Sequence, residues 1–325
     1  MLAQKLHDAH YTHSRPNILV IGDLMLDHYI FGSATRLSPE APVPIVNVKK
    51  ENKIIGGAAN VASNLIDLGA KVSLAGITGN DSFGEEIKAI LATKNIDTEL
   101  ILKDDSRTTT VKTRVIAGNH QIVRIDQEDT HDIAAELENV FFDSLQNCIA
   151  SSDIVILSDY NKGLLTPGLS LRIIDSCNAL GKRVIVDPKG LDYSKYKGAF
   201  IIKPNRKELA EAAKTEKIHS QDELEKAASV IFNFTGTDYL IVTLSEGGIA
   251  IITPDSCRIL PVVATEVYDV TGAGDTVIAT LSYCIASGFT IEEACTIANY
   301  AASIVIKHIG SATTTIEEII SALKN

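Results

Sequence analysis

Ile154-Val-Ile-Leu-Ser-Asp159, a helix-like stretch over 167–180 and then Val184-Ile-Val-Asp187 form one strand–helix–strand unit. Neither apolar run alternates with polar residues, so both faces of each strand must be covered. A parallel sheet between two helical layers does this. The pattern recurs along the chain. Ile18-Leu-Val-Ile21 closes in Gly22-Asp23, Val72-Ser-Leu-Ala75 in Gly76, Phe200-Ile-Ile202 in Lys203-Pro-Asn205, and Tyr239-Leu-Ile-Val242 in Thr243. Further helix-like segments cover 58–68 and 85–94. Ligands of such sheets bind beyond the carboxyl ends of the strands. This chain keeps Asp23, Asp159, Asp187, Lys189 and Asn205 there.

Two regions break the pattern. Residues 27–48 set Pro39, Pro42 and Pro44 among β-formers, and 108–125 read as a hairpin turning near Gly118-Asn119. Together they are expected to pair into a small β-sheet that covers the site as a lid.

The 325 residues suit one large α/β domain, and 45% hydrophobic content suits a sizeable core. A net charge of −11 argues against a nucleic-acid surface, which needs clustered Lys and Arg. The five cysteines (Cys148, Cys177, Cys257, Cys284, Cys295) form no CxxC pair, so neither a zinc site nor a disulfide framework is expected. A reducing cytoplasm is the simplest setting. Residues 1–16 lack the apolar core of a signal peptide, and no apolar run reaches bilayer length. Small molecules are the expected partners, not nucleic acid or membrane.

The chemistry concentrates in Asp269-Val-Thr-Gly-Ala-Gly-Asp275, a glycine-rich turn leading into a helix that stops at Gly288. Free amides at the positive end of a helix dipole bind anions, phosphate above all. Gly272 and Gly274 let a phosphoryl group approach the backbone around Ala273. Asp275 then reads either as a base for an attacking hydroxyl or as an ordinary first-turn acid. Gly56-Gly57-Ala-Ala-Asn60 opens another helix, either as a ligand contact or as a tightly packed cap. Asn205-Arg-Lys-Glu208 puts two polar groups on one helix face, fit for hydrated Mg²⁺ beside phosphates or for a capping box. Asp27, Asp126 and Asp159 are candidates for sugar hydroxyls; Arg114, Arg124, Lys162 and Lys189 for a phosphate already on the substrate. A P-loop is excluded because Glu85 stands where Lys is required after Gly79-Asn-Asp-Ser-Phe-Gly84. Val277 replaces the third glycine of a dinucleotide fingerprint.

These motifs, in this order from about Asn17 to Thr315, resemble the ribokinase-like (PfkB) carbohydrate kinases. The resemblance implies a three-layer α/β sandwich with a mostly parallel central sheet and a small β lid, over 1–325 as one kinase domain. A narrower resemblance is to the kinase part of bacterial heptose biosynthesis proteins. It rests on Gly22-Asp-Leu-Met-Leu-Asp27, Arg36-Leu-Ser-Pro-Glu-Ala-Pro-Val-Pro44, Gly56 to Ala62, Ser158-Asp-Tyr-Asn-Lys-Gly163 and Asp187-Pro-Lys189. Asn161 stands where that pattern has a smaller residue. No His-x-Gly-His motif is present, so no adenylyltransferase domain is expected.

The narrower resemblance implies ATP-dependent phosphorylation of D-glycero-D-manno-heptose 7-phosphate at O1. The product, the 1,7-bisphosphate, leads to ADP-heptose and lipopolysaccharide core. The alternative is another sugar or nucleoside kinase, such as a ribokinase or a fructose 6-phosphate kinase. By the same resemblance Asp275 is the base and Gly272, Ala273 and Gly274 bind the migrating phosphoryl group. Asn205 and Glu208, the latter through water, place Mg²⁺; Thr243, Glu246, Gly247 and Gly248 border ATP. Asp27, Gly57, Asn60, Asp126 and Asp159 hold the sugar, while Lys162, Lys189 and Arg124 meet its 7-phosphate. Asp269 and Thr271 mark the place of a monovalent cation, K⁺, in related kinases. Pairing of lid strands across a homodimer is also implied.

Overall fold

The computed structural model describes every residue except His13, Asn119, Ala264, Thr265, Ile309 and Asn325. From edge to edge the main sheet runs β13 (Ser256–Leu260), β12 (Ile249–Thr253), β11 (Tyr239–Thr243), β10 (Ile201–Ile202), β9 (Arg183–Asp187), β8 (Ile154–Ser158), β1 (Asn17–Gly22), β4 (Lys71–Gly79) and β5 (Ile101–Asp104). From β11 to β5 all neighbours are parallel; β12 and β13 add an antiparallel edge. The apolar strand runs divide by alternation. Ile18, Val20, Ile154, Ile156 and Ile185 enter one core, whereas Leu19, Ile21, Val155, Leu157, Val184 and Val186 enter the other. Burial on both faces is why the middles of these strands are apolar and polar residues stand only at their ends, at Asn17, Ser158, Arg183 and Asp187.

The first core lies under α1 (Leu2–Thr12), α2 (Ala58–Asp67), α3 (Ser82–Thr93), α8 (Ala273–Ala286), α9 (Ile291–Val305) and α10 (Ile316–Lys324). The second lies under α4 (Ala135–Ser151), α5 (Pro167–Ala179), α6 (Arg206–Ala212) and α7 (Gln221–Thr235). This is the three-layer sandwich expected. Helix α8 is buried from Asp275 to Ile285 and packs between α2 and α9, so its start is fixed by its whole length. It begins at Ala273, three residues before the apolar run suggests, which brings Asp275 into the first turn. From β1 the chain builds outward to β4 and β5, then returns to β8 and builds toward the other edge. The order therefore switches at β1 and β8, where a crevice opens at the strands' carboxyl ends.

A second sheet has the order β3 (Pro44–Gly57), β2 (Leu24–Leu37), β6 (Thr110–Ala117), β7 (His120–Gln127). Strand β2 pairs antiparallel with β3 and parallel with β6, and β6 pairs antiparallel with β7. The expected regions lie within it, but the strands reach further inward. Leu24, Leu26 and Ile55 are buried and tie the sheet's base to the first core. In the expected turn, Gly118 has φ +61°, while Asn119 lies outside the described residues. No helix among the described residues is long and apolar enough to cross a membrane.

Candidate active site

Asp275 is 7% exposed and receives two short hydrogen bonds. The Asn60 amide donates to Oδ2 at 2.6 Å, and the Tyr160 hydroxyl donates to Oδ1 at 2.6 Å. Three elements thus converge on one carboxylate: the start of α8, the start of α2 and the loop after β8. Helices α2 and α8 are cross-tied a turn further on, where the Thr276 hydroxyl donates to Asn64 Oδ1 at 2.8 Å. Gly57 begins α2 with φ +62°, and a Cβ there would lie 2.3 Å from the Asp23 carbonyl. Gly272 begins α8 with φ +78° and rests against Asn60, whose Nδ2 would lie 3.1 Å from an added Cβ. The Thr276 amide makes a helical bond to Gly272 O at 3.0 Å. The Gly274 and Asp275 amides precede that bond, in the turn where helices leave N–H groups without helical partners. Burial raises the proton affinity of Asp275; the Tyr160 and Asn60 hydrogen bonds and the Lys203 charge oppose this, and Asp27 adds to it.

Lys203 follows β10 and is buried, with Nζ 2.9 Å from Asp187 Oδ1 at the end of β9. It also lies 3.7 Å from where a Gly274 Cβ would stand, so its charge is beside the α8 start. Burial pushes the Asp187 carboxyl up to about 7; Lys203 lowers it and Asp275 raises it. On the small sheet, Asp27 is buried and paired with the Arg114 guanidinium, which lies over the Tyr29 ring. Arg114 and Arg124 are direct cross-strand partners, which puts two guanidinium groups on one face of the sheet. Asp23 accepts from the Tyr160 and Lys162 amides at 2.8 and 3.1 Å; burial and then the Asp159 charge push it up to about 6.

Asn205 and Glu208 form a full capping box at the start of α6 and share a face, so both readings of the motif describe one geometry. Lys189 joins them, 2.7 Å from Glu208 Oε1. Asn205 also bridges to Thr243, and the turn over Ser245–Gly247 follows, with Gly248 at φ +85°. Asp269 is turned into its own loop. Its Oδ1 accepts from the Thr271 amide and hydroxyl at 2.9 and 2.6 Å, and its Oδ2 from the Gly310 amide at 2.8 Å. Burial would raise its pKa, but these bonds outweigh it and hold the group low. Among the described residues no cluster of three or more His, Cys, Asp or Glu side chains is arranged to hold a metal ion.

Several of the expected substrate groups already have partners within the chain. Asp159 is not free for a sugar hydroxyl: Oδ2 accepts from Lys195 Nζ and the Tyr196 hydroxyl, each at 2.6 Å, and Oδ1 from the Asn161 amide at 2.6 Å. Asp126 serves as the counter-charge of Arg124, accepting both of its donors at 2.9 Å. Lys189 pairs with Glu208. Lys162 pairs with Glu128 at 2.8 Å. Asn161 has φ +57°, a left-handed conformation that Asn tolerates better than most side chains, which explains the smaller residue expected there. Tyr160, Lys203 and Asp187 carry roles the motifs did not assign. For Lys203 the signal was a cation directly after a two-residue buried strand; for Tyr160 no spacing rule points across 115 residues to Asp275.

Residues 15–318 match the pfkB family carbohydrate kinase profile. The bifunctional protein HldE of Sulfurimonas denitrificans is 46% identical over 304 residues, 94% of this chain and 63% of that protein. That of Helicobacter pylori strain Shi470 is 48% identical over 302 residues, 93% of this chain and 65% of its own length. The chain thus spans less than two thirds of these relatives. Arabidopsis thaliana ribokinase complexed with ribose and ATP superposes with a TM-score of 0.76 at 18% identity, covering 96% of this chain and all of that one. Escherichia coli phosphofructokinase-2 in complex with potassium superposes at 0.74 and 19%, with the same coverage. The fold, the glycine-rich helix start with its buried carboxylate, and the match over nearly the whole length agree: the chain belongs to the pfkB family of carbohydrate kinases and is a sugar kinase.

Proposed function

We propose that this chain, as one kinase domain, transfers the γ-phosphoryl group of ATP to O1 of D-glycero-D-manno-heptose 7-phosphate. The product would be the 1,7-bisphosphate used for ADP-heptose and lipopolysaccharide core. Asp275 carries the reading: a buried carboxylate at a helix-start anion site, clamped by two donors. The acceptor is supported by the 46–48% identity to proteins named HldE and by the Arg36–Pro44 and Ser158–Gly163 segments.

ATP with Mg²⁺ supplies the phosphoryl group and offsets the charge on its oxygens when bound. The protein's part is positioning and electrostatics. Asp275 takes the proton of the attacking hydroxyl, and its residual basicity at this depth suits that task. The Gly274 and Asp275 amides and the Lys203 ammonium place positive charge where negative charge gathers. Asn205, Glu208 and Lys189 order the donor side, with the 243–248 turn beside the nucleotide. Asp27, Gly57 and Asn60 border the sugar. The facing Arg114 and Arg124, with Lys162 nearby in sequence to Tyr160, supply charge for the 7-phosphate. The side chains of Asp269 and Thr271, where related kinases hold a monovalent cation, are turned onto each other. Cytoplasmic residence and a homodimer through the lid strands remain parts of the proposal.

The test is Mg²⁺-dependent ADP release with heptose 7-phosphate, fructose 6-phosphate, ribose and adenosine. Turnover confined to heptose 7-phosphate supports the acceptor; preference for another member replaces it.

A further inference from the structure

The geometry assigns Tyr160 as a positioning residue that keeps Asp275 aimed and ready to accept a proton. This rests on Asp275 being the base of the proposed reaction. Each Asp275 oxygen holds one donor, Asn60 on Oδ2 and Tyr160 on Oδ1, both at 2.6 Å. A carboxylate oxygen has two lone-pair sites, so one stays open on each for the sugar hydroxyl. Two donors fix the plane of the carboxylate against rotation about its Cβ–Cγ bond.

Tyr160 can play this part because its own backbone is fixed. Its amide donates to Asp23 Oδ2 at 2.8 Å, the Lys162 amide to the same oxygen at 3.1 Å, and the Asn161 amide to Asp159 Oδ1 at 2.6 Å. The segment is thus tied to the ends of β1 and β8, the pair at which the sheet order switches. Asp275 is faced by Tyr160 after β8, Lys203 after β10, Asp27 on β2 and Asn60 on α2, with Asp187 at the end of β9 next in range. Of these, only Tyr160 and Asn60 hydrogen-bond to Asp275; Lys203 acts at longer range while paired with Asp187. Desolvation and the Asp275 charge hold the phenol well above its ordinary pKa, so it stays a donor and does not compete as a base.

The test is Tyr160→Phe, which removes one oxygen atom. The Asp275 titration is read by NMR of protein labelled with ¹³C at the aspartate carboxyl, with Asp275→Asn identifying the resonance. The midpoint is expected to rise by about one pH unit, the scale set by losing one hydrogen bond to a charged group. The acid limb of kcat/KM should move by the same amount, kcat should fall about tenfold, and KM for ATP should hold. Thermal unfolding checks that the variant is folded. An unchanged midpoint in a folded variant overturns the assignment. The titration needs no substrate, so a wild type silent on every sugar would sink the proposed function and leave Tyr160 to be decided by NMR.

Discussion

At the scale of single residues, the site is a carboxylate whose surroundings pull in two directions. Burial disfavours its charge, and two hydrogen bonds with a nearby ammonium offset this only in part. Asp275→Asn keeps the shape, the Asn60 neighbourhood and the helix start, but cannot accept the proton. Loss of a positioned base costs about 10²–10⁴-fold; kcat is expected to fall by that much with ATP affinity intact, and near-normal turnover in steady-state assays would remove Asp275 from the chemistry. Gly57→Ala tests the frame around it. Its positive φ and the 2.3 Å approach to the Asp23 carbonyl leave no room for a methyl group. Destabilisation beyond about 1–2 kcal/mol is expected in denaturant melts, and a wild-type midpoint would show that the α2 start can relax.

At the scale of elements, the helix starts hold the candidate site and the strands place them. Capping boxes at Asn205–Glu208 and Ser220–Glu223 make the same two local bonds, yet only the first lies beside Lys189 and Thr243. Asn205→Ala and Ser220→Ala should each cost about 1 kcal/mol of stability. Only Asn205→Ala should also weaken ATP binding, by about tenfold or 1.4 kcal/mol; equal ATP affinities by calorimetry would reduce the motif to a cap. This pair shows what the sequence could express. Apolar runs that fail to alternate revealed β1, β8, β9 and β11, and glycine at a helix start revealed α2 and α8, because both signals are local. The pairings of Asp159, Asp126 and Lys189 are of another kind. Asp159 and Lys189 stand where the strand ends put them, but their partners come from distant segments, Lys195 and Glu208, whereas Asp126 takes Arg124 from two residues away. Charge type at a strand end is legible in one dimension; which charge neutralises it is not.

At the scale of the whole molecule, crowding acids at the switch point makes stability depend on pH in an unusual direction. Asp23 and Asp187 are held at about 6 and about 7 in the folded chain, against 3.8 for an ordinary aspartate. The folded state therefore binds more protons than the unfolded chain between about pH 4 and pH 7. The stability from these two groups is complete below about pH 4 and is lost as pH rises through their folded values. Acids held low, such as Asp81, Asp104 and Asp269, act in the opposite sense and at lower pH, where they lose their stabilising charge. In the intervening window the raised acids, Asp23 and Asp187 with Asp275 beside them, set the slope. At about 1.4 kcal/mol for each tenfold change in proton affinity, Asp23 alone contributes on the order of 3 kcal/mol. The melting temperature should then decline from pH 5 to pH 7.5. Asp23→Asn, which keeps an oxygen to accept from the Tyr160 and Lys162 amides but has no proton to lose, should flatten that decline. Scanning calorimetry of both proteins across the window decides it. A wild-type profile that is flat or rising, or one that Asp23→Asn leaves unchanged, would mean that the crevice is wetter than its packing indicates and that its acids titrate as surface groups do.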